Sequence, residues 1–173
     1  MRLFIAINFD EETKQNILDV QRRLREFGEG NFSRPENLHL TLAFLGEVAP
    51  ARVAAVHKAM DSVTLRPMKL TFDNVGCFKR DGGNIWWIGL AENKALSDVQ
   101  KELADSLLAG DFRLESRRFS PHITLAREVR LTVQPDRKAL LGKPFFAQVN
   151  AISLMCSERI GDVLTYTEQY RRE

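Results

Sequence analysis

A four-residue pattern occurs twice in this chain, as His39-Leu40-Thr41-Leu42 and, 83 residues later, as His122-Ile123-Thr124-Leu125. Successive side chains of a β-strand point to opposite faces, so a His and a Thr at i and i+2 share one face. The apolar residues at i+1 and i+3 share the other, toward a core. Each stretch therefore reads as a half-buried strand that presents one imidazole beside one hydroxyl. The surroundings repeat as well. The strands that open at Arg2 and at Ile85 each lie 37 residues ahead of a histidine motif, with a helical pattern between. Such a chain is constrained to a duplicated strand–helix–strand layout, with one motif in each lobe.

The remaining elements fit that frame. Asp10 caps a helix whose apolar residues Ile17, Val20, Leu24 and Phe27 recur at helical spacing until Gly28 and Gly30 end it. A polar loop through Pro35 leads to the first motif strand, 38–45. A helix over 50–62 follows, then a strand over 68–78 and a hairpin turn at Asp81-Gly82-Gly83-Asn84. The second unit has a strand over 85–91 and a helix over 94–108. The second motif strand, 122–128, is followed by a short helix over 136–141, one strand over 145–156 and a last strand over 163–170. The whole, residues 1–173, is expected to be a single domain of two pseudo-symmetric lobes.

Composition narrows the class. Apolar residues make up 44% and charged residues 28% of the chain, the profile of a water-soluble globular protein with a sizeable core. No apolar run approaches the length of a membrane span, and the short apolar start, soon followed by acidic residues, does not read as a signal peptide. Cys77 and Cys156 fit no metal or redox spacing, so buried thiols in a reducing compartment, by default the cytoplasm, are expected. The net charge of +2 argues against a long nucleic-acid track. Arg117, Arg118 and Arg127 flank the second motif and could bind phosphate through their forked donors.

Histidine titrates near neutrality, so two imidazoles across a pocket can divide proton transfer between a general base and a general acid. That division suits in-line displacement at phosphorus. Threonine hydroxyls beside them would donate to non-bridging oxygens and absorb developing charge. A zinc site would need further His, Cys or carboxylate ligands, and neither motif carries one beside its histidine. No metal and no cofactor is expected. His57, at helical spacing with Val53 and Val56, is expected at the surface.

With these residues in view, the chain resembles the two-histidine phosphoesterase superfamily, in its RNA 2′,3′-cyclic phosphodiesterase (2′-5′ RNA ligase) branch. The likeness is carried by Arg2-Leu3-Phe4-Ile5-Ala6, by Pro35 through Gly46, and by Gly76-Cys77-Phe78 with Trp87-Ile88-Gly89. Phe119 through Arg127 completes it. The resemblance implies a bilobal α+β fold, each lobe an antiparallel sheet backed by helices, with the active cleft between lobes. It implies metal-independent opening of an RNA terminal 2′,3′-cyclic phosphate to a 2′-phosphate. In that pattern His39 is the proton donor, His122 the proton acceptor, and Thr41 and Thr124 hold the phosphate. The residues alone supply both roles but not which histidine takes which.

Three neighbours are candidate substrate-binding residues. Arg127 and Phe44 each lie five residues after their histidine, nominally on the core face. Arg127 would need a bulge to reach a phosphate, and for Phe44 core packing is the first reading. Phe119 could stack on a base. Trp86 and Trp87 are both expected in the core. The partners implied are RNA ends or nucleotides bearing a cyclic phosphate, with no membrane, no obligate protein partner and a monomeric state. The same pocket run in reverse would make a 2′-5′ link. Small cyclic-phosphate nucleotides are an alternative substrate class, and a non-catalytic RNA-end or nucleotide-binding module is the alternative from another class.

Overall fold

The structure is a computed structural model that describes residues 1–173. Nine strands form two antiparallel sheets: β1 (Arg2–Asn8), β2 (Gly28–Phe32), β3 (His39–Glu47), β4 (Met68–Phe78), β5 (Asn84–Leu90), β6 (His122–Leu131), β7 (Phe145–Val149), β8 (Ile152–Ile160) and β9 (Val163–Arg172). The helices are α1 (Glu11–Arg25), α2 (Val53–Asp61), α3 (Lys94–Ala109) and α4 (Arg137–Leu141). The first sheet runs β3-β1-β8-β9, and the second runs β2-β6-β5-β4-β7. Apart from β2 the two are built alike. A motif strand pairs with the opening strand of its half, which pairs in turn with a long strand supplied by the other half.

The exchange extends to the helices. α1, from the first half, packs near β2, β6, β7 and α4, while α3, from the second half, packs near β3 and α2. Their buried stripes differ little from the pattern read in the sequence: Ile17, Val20 and Leu24 in α1, and Leu96, Val99, Leu103 and Leu107 in α3. Asp10 and Asn93 cap the two helices through backbone N–H groups three residues on. One contiguous apolar core runs through both lobes.

Two stretches depart from the expected elements. Residues 28–32 continue into a strand instead of a loop, because Gly28 and Gly30 let this backbone lie directly against β6. A Cβ at Gly28 would stand 2.1 Å from Arg130 O. The expected single strand over 145–156 is two strands, β7 and β8, broken at Asn150-Ala151, and the break carries the chain from the second sheet to the first. His57 is also placed differently from expectation. It is partly buried in α2 and stacks on Tyr170 of β9, with ring centres 4.1 Å apart.

Candidate active site

A cleft of about 600 Å³ is lined from both sheets by His39, Thr41, His122 and Thr124. The motif strands β3 and β6 bring them there, with their leucines and isoleucine buried as alternation requires. His39 lies opposite Asn8 at the end of β1, and His122 opposite Gly89 at the end of β5. The two histidines therefore occupy matching rungs of the two sheets.

Each imidazole is fixed in the same way. His39 Nδ1 lies 2.7 Å from Asn37 O, and His122 Nδ1 lies 2.7 Å from Ser120 O. A carbonyl only accepts, so each Nδ1 carries its proton and donates, and each Nε2 is left for chemistry. His39 Nε2 is 2.9 Å from Thr41 Oγ1. In the neutral ring that nitrogen accepts from the threonine hydroxyl. Burial pushes the His39 pKa below its ordinary value, with smaller contributions from the charges of Arg127 and His122 against the raising effect of the Asn37 bond. Burial thus favours the neutral form of His39.

Aromatic rings hold both histidines. The Phe4 ring tilts against His39 at 4.8 Å and Tyr166 meets it edge-on at 5.2 Å. Phe78 meets His122 edge-on at 5.2 Å, and Trp87 lies 6.1 Å away. Tyr166 also lines the cleft, and burial raises the pKa of its hydroxyl. Trp86 is in the core as expected, but Trp87 is only partly buried and packs beside the catalytic candidate. This places Trp87 outside its expected role. The sequence signal for it is Gly76 on the paired strand, where a Cβ would stand 2.4 Å from the indole.

The two residues at motif position +5 both reach the cleft, through the same device. On β6, Trp87 pairs with Thr124 but Trp86 with Ala126, so β6 carries one extra residue. On β3, Ala6 pairs with Thr41 but Ile5 with Ala43, again one extra residue. Each bulge reverses the alternation beyond it. Arg127 is turned onto the face of His122, and Phe44, 39% exposed, onto the face of His39. The core reading of Phe44 is thereby corrected. The bulge that Arg127 required is present.

Phe119 is not at the cleft. It is partly buried against the core, so the loop before Ser120 turns its ring inward. Arg117 pairs with Glu115 at 3.0 Å, and neither it nor Arg118 lines the cleft. Arg2, Arg34 and Arg159, which the sequence reading did not select, do line it. Arg34 lies only five residues before His39, whereas Arg2 and Arg159 are distant from both motifs; Arg2 opens β1 beside β3, and the folding of β8–β9 over residues 34–37 brings in Arg159. No three His, Cys, Asp or Glu side chains converge in a metal-ligating group. No helix is long and apolar enough to cross a membrane.

A family model described as LigT like phosphoesterase matches residues 7–87 and, a second time, residues 88–164, once for each motif. The chain belongs to this family. Among its curated relatives is the RNA 2′,3′-cyclic phosphodiesterase of Archaeoglobus fulgidus, 32% identical over 131 residues that cover 75% of this chain and 74% of that protein. The RNA 2′,3′-cyclic phosphodiesterase of Thermotoga maritima is 33% identical over 131 residues, covering 73% and 70% of the respective chains. The crystal structure of E. coli LigT complexed with 3′-AMP superposes with a TM-score of 0.85 at 27% identity, over 99% of this LigT-like chain and 96% of that one. The α+β fold of two antiparallel sheets with helices is shared along nearly the whole chain.

Proposed function

We propose that this protein hydrolyses the 2′,3′-cyclic phosphate at an RNA 3′ end to a 2′-phosphate, without a metal ion. The observation that carries the proposal is the matched pair of imidazoles. Each donates Nδ1–H to a main-chain carbonyl two residues back, beside a threonine hydroxyl in one cleft. An imidazole oriented through Nδ1, with Nε2 turned to the cleft residues, is what proton transfer to or from a phosphate ester requires. The relatives bearing the name RNA 2′,3′-cyclic phosphodiesterase support the same reading.

In this mechanism Thr41, Thr124 and Arg127 hold the non-bridging oxygens. His122 takes a proton from water as it attacks phosphorus, and His39 gives a proton to the departing 3′ oxygen. The order of the two histidines follows the family pattern. A neutral His39 has no proton on Nε2 to give, so this role requires the imidazolium form. An entering phosphate anion favours imidazolium at His39, and Thr41 exchanges its bond to Nε2 for one to the phosphate. Phe44, at the open end of the same strand face, offers a ring to the terminal base. The reverse reaction, joining such an end to a 5′-hydroxyl as a 2′-5′ link, uses the same groups.

The test is incubation with RNA ending in a 2′,3′-cyclic phosphate in the presence of a chelator, followed by identification of the product. A 2′-phosphate is expected, with at least a hundredfold loss of rate in His39→Ala and in His122→Ala, the usual scale for a general acid or base. Full activity in either variant, or abolition by chelator, overturns the mechanism.

A further inference from the structure

The cleft carries more positive charge than one cyclic phosphate accounts for. A 2′,3′-cyclic phosphate is a diester with a single negative charge, and Arg127 stands on the His122 face to meet it. Arg2, Arg34 and Arg159 line the same cleft, against one carboxylate, Asp162. Arg2 is turned over the Phe44 ring, 4.9 Å from its centre. Arg34 and Arg159 are placed differently, gathered at the tip of the β8–β9 hairpin. Leu164 is the cross-strand partner of Arg159, and its carbonyl accepts from Arg34 Nη1 at 3.5 Å. Arg159 Nη1 donates to Asp162 O at 3.1 Å.

Main-chain carbonyls thus orient both guanidinium groups while engaging one terminal nitrogen of each. Arg34 also meets Glu36 through Nε at 3.4 Å, which leaves its second terminal nitrogen free. A guanidinium held this way keeps a free terminal nitrogen to donate to a phosphate. The position suits one as well. Arg159 lies two residues along β8 from Ser157, whose partner Tyr166 touches His39. Two residues of strand span about 7 Å, so Arg159 stands along the cleft beyond Tyr166 and not beside the histidines, on the side where a neighbouring phosphate of a nucleotide would lie.

We propose that Arg34 and Arg159 form a second phosphate subsite, which binds the phosphate on the 5′ side of the nucleotide whose cyclic phosphate meets the histidines. The proposal rests on the reading above for the identity of the first phosphate. It makes a 5′ phosphate a determinant of substrate choice. Its source is either the last 3′-5′ link of an RNA or the 5′-phosphate of a free nucleotide.

The experiment compares kcat/KM for three substrates. They are adenosine 2′,3′-cyclic phosphate, the same compound with a 5′-phosphate, and a dinucleotide ending in the cyclic phosphate. The unaltered protein is expected to favour one or both of the latter by about tenfold, the scale of one charge-assisted hydrogen bond. Preference for the dinucleotide assigns the subsite to the RNA link, and preference for the 5′-phosphorylated monomer to a free nucleotide. In Arg34→Gln/Arg159→Gln the ratio falls to about one, with each single variant intermediate. Equal kcat/KM on all three substrates, or a preference that survives the double substitution, overturns the subsite. If none is hydrolysed, the proposed activity fails, and calorimetry then decides the subsite separately. Adenosine 2′,5′-bisphosphate should bind about tenfold more tightly than adenosine 2′-phosphate to the unaltered protein, and equally to the double variant. Equal affinities for the unaltered protein overturn it.

Discussion

At the level of single residues, the two histidines share their tautomer but differ in environment. His39 is packed between Phe4 and Tyr166 and bonded to Thr41, and burial lowers its pKa. In the unfolded chain the imidazole returns to about 6.5, so just below that pH the unfolded chain binds more protons than the folded one. The stability tied to a neutral His39 is therefore complete above about pH 6.5 and is lost as the pH falls from there through the folded value. Two results are expected. In an NMR titration the His39 ring titrates below the ordinary histidine value, and saturating inorganic phosphate moves it upward. The thermal midpoint falls as the pH is lowered from 6.5, and falls less in His39→Gln. A free-protein His39 that titrates at or above 6.5 would contradict both. The position-five residues carry a second asymmetry. An aromatic ring follows His39 where a guanidinium follows His122, so a cleft built from repeats has one aromatic and one cationic side.

At the level of elements, the motif strands are legible from alternation only up to their bulges. His39, Thr41, His122 and Thr124 share the face that a two-residue period assigns, because no extra residue intervenes between each pair. Beyond Thr41 and Thr124 the period reverses, and Phe44 and Arg127 escape a simple count. Both stretches continue Thr-Leu-Ala after the histidine, so the irregularity is itself part of the repeat. The strand at 28–32 was hidden for a different reason. Glycines that usually end a helix here serve close contact with β6, which local sequence does not encode. The aromatic support of His122 depends on a similar vacancy. Gly76→Ala would drive a methyl group into the Trp87 indole from the adjoining strand. Overpacking of this kind costs about 1–3 kcal/mol, and the displaced indole disturbs His122. Denaturant unfolding should show that loss together with a drop in kcat. A Gly76→Ala protein with unaltered stability and kcat would show that Trp87 gives way without consequence.

At the level of the whole molecule, each half builds part of the other's site, and two glutamines make the connection. Gln21 of α1 is buried, and its Nε2 donates to Leu125 O at 3.0 Å and to Ser33 O at 2.8 Å. Gln100 of α3 donates to Leu42 O at 3.3 Å. Leu42 and Leu125 are the residues at the two bulges, so a helix from one half braces the irregular strand of the other half on each side. The brace on Leu125 lies two residues from Arg127, and the one on Leu42 two residues from Phe44. Because helices and long strands are exchanged and the core is continuous, unfolding is expected as a single cooperative transition. Gln21→Leu leaves the Ser33 carbonyl without its amide donor and removes one of the two donors from Leu125 O, which also accepts from Ser33 N at 3.0 Å. The expected cost is about 1–3 kcal/mol, read as an earlier midpoint of that one transition. Gln100→Leu, with a longer and less buried bond, should cost less. Activity should fall more in Gln21→Leu than in Gln100→Leu, since Arg127, the arginine proposed to hold the phosphate, is the residue displaced. A transition that splits into two, or a larger stability loss in Gln100→Leu, would mean that the lobes stand more independently than their exchanged elements imply.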